Sequence, residues 1–173
     1  NGQPHSEHYH YDLRGNVIHK QRTLFNVPYK FHYQYDGQDR LSRQVFPDGD
    51  SLDYQYNLRG QLKNISNMVD NLIYDEAGQL KTIEYANGTQ QQRDYDGKGQ
   101  LIDLLSKKGA DPLKLLSYQY DGRGNIERID DVLQSRLSQV FKYDAISQLK
   151  NATGGYGQLR YQYDAIGNML AKN

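Results

Sequence analysis

The stretch Tyr118-Gln119-Tyr120-Asp121-Gly122-Arg123-Gly124-Asn125-Ile126 decides the fold. Tyr118 and Tyr120 stand two apart, so on a β-strand both rings face one side. Asp121, at the first position of a type I turn, accepts a backbone N–H two residues on. Gly124, at the fourth, takes the left-handed conformation that a Cβ would penalise. Ile126 then opens a return strand, so the nine residues form the closed end of a β-hairpin.

The same pattern recurs along the whole chain at intervals of 18 to 25 residues. Its anchors are Tyr11, Tyr35, Tyr56, Tyr74, Tyr95, Tyr120, Tyr143 and Tyr163. The next residue is Asp12, Asp36, Asp75, Asp96, Asp121, Asp144 or Asp164, with Asn57 the one departure. Three positions further on stands Gly15, Gly60, Gly78, Gly99, Gly124 or Gly167; Asp39 and Ser147 break the rule. Two beyond that the residue is always apolar: Val17, Leu41, Leu62, Leu80, Leu101, Ile126, Leu149, Met169. Two before the anchor lies Tyr9, Tyr33, Tyr54, Leu72, Tyr118, Phe141 or Tyr161, with Arg93 the exception. A fixed period of roughly 20 residues is the signature of a repeat architecture.

Each unit is expected to supply two short strands and two turns, giving roughly 14 to 16 antiparallel strands in chain order, a sheet long enough to curl. Second turns are predicted at Pro47-Asp48-Gly49, Asn87-Gly88 and Gly154-Gly155. Lys107 to Leu116, with its Gly-Ala-Asp-Pro, is expected as a longer loop. Asp131 to Val140, with Leu133 and Leu137 at helical spacing, is a candidate for one or two helical turns. From Leu80 to Ile83 the apolar parity switches, which calls for either a bulge or a strand covered on both faces. Between the tyrosines lie His10, Gln34, Gln55, Ile73, Asp94, Gln119, Lys142 and Gln162. That mostly polar set predicts one covered and one wet face.

Composition narrows the function. The chain of 173 residues has 16 Tyr, no Trp and no Cys, and its 21 basic residues balance 21 acidic ones. No basic field exists to attract nucleic acid. No apolar run is long enough to span a membrane as a helix. Disulfides, thiol catalysis and Cys-based zinc sites are excluded. A mean hydropathy of −0.93 alone suggests disorder, but disordered chains are poor in aromatics. The absence of an initiating Met fits a fragment.

Tyr33-Gln-Tyr-Asp-Gly-Gln-Asp-Arg-Leu41, the Tyr118–Ile126 stretch and Tyr161-Gln-Tyr-Asp-Ala-Ile-Gly-Asn-Met169 resemble the YD repeat of Rhs proteins, insecticidal toxin-complex shells and teneurins. The resemblance implies an all-β fold of consecutive antiparallel β-hairpins, curling into part of a spiral shell or barrel. It implies that residues 1–173 are a single array of about eight units from a longer protein. In bacterial members the shell encloses a C-terminal toxic domain; in teneurins it is a rigid cell-surface module. The expected role is therefore a non-enzymatic wall segment of a bacterial secreted or surface protein. Its partners would be the remainder of the parent shell and its cargo. The Asp-Pro-x-Gly-like core segment of the bacterial shells is missing, since Asp111-Pro112 sits mid-array without the rest of the motif.

No catalytic, metal or cofactor residues are expected. His5-Ser6-Glu7-His8-Tyr9-His10 is the densest candidate metal cluster, but polar residues on the wet face of a strand account for it equally. The aspartates recur at one turn position, which assigns them to turn closure. No Gly-x-Ser-x-Gly elbow or nucleotide-binding glycine pattern is present. Asn64, Asn87 and Asn151 match the glycosylation acceptor pattern. The alternatives are a carbohydrate-binding or adhesion module built on tyrosine platforms and, in architecture, a four-bladed propeller. An uncapped repeat array also predicts edge-to-edge self-association in isolation.

Overall fold

Tight turns between short strands of alternating character leave one simple way to satisfy backbone N–H and C=O groups: each strand pairs with its chain neighbours. The computed structural model describes residues 5–173, so the first four residues of the predicted array lie outside it. Sixteen strands, all antiparallel, are hydrogen-bonded in chain order. Two compact units share them, one of residues 5–72 with 85–87, the other of residues 73–84 with 88–173.

The first unit carries β1 (His5–Tyr11), β2 (Val17–Leu24), β3 (Val27–Tyr35), β4 (Leu41–Val45), β5 (Ser51–Tyr56), β6 (Leu62–Ile65) and the start of β7 (Val69–Tyr74). The second carries β8 (Leu80–Tyr85), β9 (Thr89–Tyr95), β10 (Leu101–Lys108), β11 (Asp111–Tyr120) and β12 (Ile126–Asp131). It continues through β13 (Gln139–Tyr143), β14 (Leu149–Gly154), β15 (Gly157–Tyr163) and β16 (Met169–Lys172). Chain-order pairing runs through more than four strands in each unit, so neither is built of four-stranded propeller blades.

Every anchor hairpin whose register is resolved slips by one residue at the same place. Tyr35 pairs with Leu41, but Gln34 pairs with Arg43, leaving Ser42 as a bulge. The same slip leaves Ile18, Lys63, Ile102, Glu127, Lys150 and Leu170 unopposed. A bulge reverses side-chain parity beyond it. The tyrosine face therefore receives the first return residue and the one three later, not two later. Tyr54 faces Ile65, Tyr118 faces Ile129 and Phe141 faces Ala152. Leu80 and Ile83 have this spacing, and Ile83 is 8% exposed. Of the two alternatives left open for their parity switch, the bulge is the one the other hairpins use.

The core is thin. Among the described residues only Val69, Ile83 and Ala152 are buried apolar side chains, at 9%, 8% and 2% exposure. The tyrosines from β3 onward in the anchor pairs are half-buried, and the eight residues between each pair and its anchor are all exposed.

At the opposite ends of the hairpins the turns vary. Phe25 and Asn26 both have positive φ (50° and 64°), a two-residue turn of the kind that matches strand twist. Gly49 and Gly88 close the predicted turns at φ 94° and 79°. The third lies one residue later than predicted, at Gly155-Tyr156, because Gly154 is still paired with Gly157. One expectation is corrected. Lys107 to Leu116 is not a loop: β10 and β11 extend through it to a tight turn at Gly109-Ala110, and Pro112 fits where the register shifts. In Asp131 to Val140 the candidate for one or two helical turns is a single 3-10 turn, Ser135–Leu137. The buried Asp131 organises it, its N–H donating to Ser138 Oγ (3.1 Å) and its Oδ1 accepting from Gln134 N–H (2.9 Å).

Candidate functional site

The repeated chemistry gathers at the anchor turns. In all eight, the residue after the tyrosine accepts an i+3 backbone N–H at 2.9–3.2 Å and donates its own N–H to the i+4 carbonyl at 2.8–3.0 Å. Its side chain adds a second layer. Asp121 Oδ1 accepts from the N–H groups of Arg123 (2.9 Å) and Asn125 (2.9 Å), and Oδ2 from Asn125 Nδ2 (2.9 Å). Asp12 and Asp164 repeat this arrangement with Asn16 and Asn168, and Asp36 uses the Arg40 guanidinium. Asp96 and Asp144 each accept two turn N–H groups, and Asp75 accepts from Gln79 N–H at 2.8 Å. Asn57 substitutes its amide oxygen and turns its Nδ2 to Gln61 Oε1.

These bonds favour the ionised carboxylate. The side-chain bond from Asn125 is the largest influence holding Asp121 below the usual carboxylate range. Asn16, Arg40 and Asn168 do the same for Asp12, Asp36 and Asp164. The left-handed position is filled by Gly15, Gly60, Gly78, Gly99, Gly124 and Gly167 at φ 79–91°.

The tyrosine ring carries the contact between units. A bulge leaves the carbonyl of the first return residue outside the ladder, and a buried carbonyl needs a donor. The anchor hydroxyl of the following hairpin supplies it. Tyr35 donates to Val17 O (2.9 Å) and Tyr56 to Leu41 O (2.9 Å) in the first unit. In the second, Tyr95 donates to Leu80 O (2.9 Å), Tyr120 to Leu101 O (2.8 Å), Tyr143 to Ile126 O (2.9 Å) and Tyr163 to Leu149 O (3.0 Å). Each bond contributes about 1 kcal/mol net. Burial is the main cause raising the Tyr35, Tyr56, Tyr120 and Tyr143 hydroxyls above the ordinary phenol range. Tyr11, at the start, is exposed. Tyr74 occupies the same turn position at the end of β7.

Sequence reasoning found the turn and the column of rings but not this staple, whose partners lie 14 to 19 residues apart. The one polar residue in the preceding column is Arg93, whose Nη2 donates to Gln91 Oε1 while the buried Nη1 has no hydrogen-bond partner among the described residues.

The histidine-rich first strand divides by face. Glu7 pairs with Lys20 (3.1 Å) and Arg22 (3.5 Å) and accepts from Tyr9 Oη, the bond that most lowers its pKa. His10 lies on the other face beside His19 and, beyond it, His32, with ring centroids 5.3 and 4.7 Å apart. Among the described residues no group of three or more His, Asp or Glu is placed to hold a metal ion. No helix is long and apolar enough to cross a membrane.

A family model for the teneurin YD-shell matches residues 51–173. Teneurin-4 of Homo sapiens is 27% identical over 177 residues, covering 94% of this chain and 6% of that protein. Teneurin-3 of Danio rerio is 25% identical, with the same coverage. The probable deoxyribonuclease RhsB of Dickeya dadantii is 28% identical, over 91% of this chain and 12% of its own length. The chain thus spans a small part of each relative. In solved structures, a TcdB2-TccC3 chain superposes with a TM-score of 0.78 at 19% identity, covering 94% of this chain and 11% of that one. A chain of the Photorhabdus luminescens Tc holotoxin pore gives 0.76 at 19% identity, over 93% and 10%.

Proposed function

Because the chain belongs to the teneurin YD-shell family, and is a structural shell segment by that membership and by its fold, we propose that it serves as a non-enzymatic wall. The parent is a secreted or surface protein whose shell encloses a toxic cargo domain and helps deliver it. One observation carries the wall reading: six of the eight anchor hydroxyls donate to the first return carbonyl of the preceding hairpin, so the repeated residues are spent on joining hairpins. That is the use expected of a wall, and it leaves the aspartates to their turns. The enclosed cargo is supported by relatives named for a deoxyribonuclease and for a toxin complex.

Protease treatment of the full parent protein tests it. Survival of a non-repeat domain under conditions that digest the same domain expressed alone supports enclosure. Equal digestion rates refute it, while leaving the wall fold untouched. The carbohydrate reading is weakened by the same hydroxyls, which are engaged with carbonyls rather than free beside an open ring. Edge-to-edge association of the isolated chain is read by sedimentation over a concentration series.

A further inference from the structure

Five residues beyond six of the anchors stands a side chain that lies against the left-handed residue of the next turn. Along the sequence the pairs are Asn16 with Asp39, Arg40 with Gly60, Gln79 with Gly99, Gln100 with Gly124, Asn125 with Ser147 and Gln148 with Gly167. The two residues that break the glycine rule are the two that follow an asparagine.

The geometry gives a reason. Gln79 is long enough to cross the gap and donate from Nε2 to Gly99 O at 2.9 Å. A Cβ on Gly99 would stand 3.2 Å from that nitrogen. A Cβ on Gly124 or Gly167 would meet the same crowding, from Gln100 Nε2 at 3.1 Å and Gln148 Nε2 at 3.2 Å, whereas one on Gly60 would make only an ordinary contact with Arg40 Nη1 at 3.6 Å. Asparagine is one methylene shorter. Asn125 Nδ2 remains on its own Asp121 and meets Ser147 Oγ at 3.0 Å. Asn16 Nδ2 likewise bonds Asp12 and reaches Asp39 Oδ1 at 3.2 Å, beside the Arg14–Asp39 ion pair at 2.9 Å. In one case the donor spans the gap; in the other the acceptor does. The backbone follows, with φ 59° and 63° at Asp39 and Ser147, the ordinary left-handed region, against 79–91° at the glycines.

We propose that these two positions form a matching rule that specifies which hairpin stacks on which: a glutamine takes a glycine turn, and an asparagine takes a turn with a short side-chain acceptor. The rule makes neighbouring units complementary and penalises slipped or swapped ones. It concerns the joining of units and holds whether or not the parent encloses a cargo.

Two double-mutant cycles on the full chain test it by thermal melts. Gly124→Ser alone is expected to lower Tm by roughly 2–8 °C, from left-handed strain and displacement of the Gln100 amide. Adding Gln100→Asn is expected to recover more than half of that loss. In the reverse cycle, Ser147→Gly and Asn125→Gln each lower Tm singly, and together they return it towards the parent value. Non-additivity of this sign in both cycles supports the rule. Additive shifts in either overturn it. If Gly124→Ser does not fold, the Asn125/Ser147 cycle, which adds only a glycine and a longer amide, decides alone.

Discussion

The two ends of each hairpin have been built under different constraints. At the anchor end the turns are nearly identical: the same two backbone bonds, a carboxylate or amide over the turn, one left-handed residue, one bulge. At the far end the chain closes with Phe25-Asn26, Pro47-Asp48-Gly49, Gly109-Ala110 or a 3-10 turn, and each works. Both ends satisfy the backbone of their own hairpin. The anchor end also satisfies its neighbour's in one repeated way, through a tyrosine hydroxyl and a fifth-position side chain, whereas far-end bonds between neighbours, such as Ala86 N–H to Met68 O (3.1 Å) and Val132 N–H to Leu115 O (2.9 Å), follow no repeat. Repetition in this sequence therefore marks where hairpins meet in one fixed way, and variation marks where each junction is solved on its own.

The largest expected break of that contrast is Tyr120→Ala, which removes a half-buried ring and strands Leu101 O. It should cost about 3 kcal/mol, at the low end for an aromatic truncation, measured by urea unfolding. At the far end Tyr156→Ala, from a half-exposed ring, should cost under about 1 kcal/mol. Equal losses would erase the distinction. Next, Gly78→Val should cost about 1–2 kcal/mol from left-handed strain. Gly109→Asn, at φ 59° with open space around it, should be close to neutral. Smaller again, Tyr120→Phe isolates the staple and should cost about 1 kcal/mol. A neutral result would mean that water serves Leu101 O equally well.

The pH dependence sharpens the same point from both sides. Asp12, Asp36, Asp121 and Asp164 have depressed folded pKa values. Their contribution is present above the ordinary value of 3.8 and is lost as pH falls through the folded one. Tyr35, Tyr56, Tyr120 and Tyr143 are raised, so theirs is present below 10.0 and lost as pH rises through the folded value. Melting temperatures should fall outside these limits, with a further loss as pH drops below 6.5, because burial and the neighbouring His32 and His10 hold His19 below that ordinary value. In the Tyr120→Phe chain the alkaline fall should be shallower.

What the sequence disclosed was whatever is local. Asp121 to Gly124 is a turn within four residues, and the alternation of Tyr118 and Tyr120 needs no partner to be read. The bulge was visible only as the awkward Leu80–Ile83 spacing, because one extra residue looks like a broken pattern until the register is known. The staple was not legible: a hydroxyl that needs an acceptor does not say which distant carbonyl a bulge has freed. Lys107 to Leu116 misled because Gly-Ala-Asp-Pro is turn chemistry, yet only Gly109-Ala110 turns while Asp111 and Pro112 already belong to β11.

The tyrosine staple also has a direction. In every resolved case the hydroxyl belongs to the later hairpin and the carbonyl to the earlier one. A hairpin can close its own turn and ladder, yet its bulge carbonyl waits for the residue that follows it in synthesis. A chain leaving the ribosome from its N-terminus would thus zip forward, each newly made tyrosine locking the hairpin before it. The most recently made hairpin is always the one still able to rearrange.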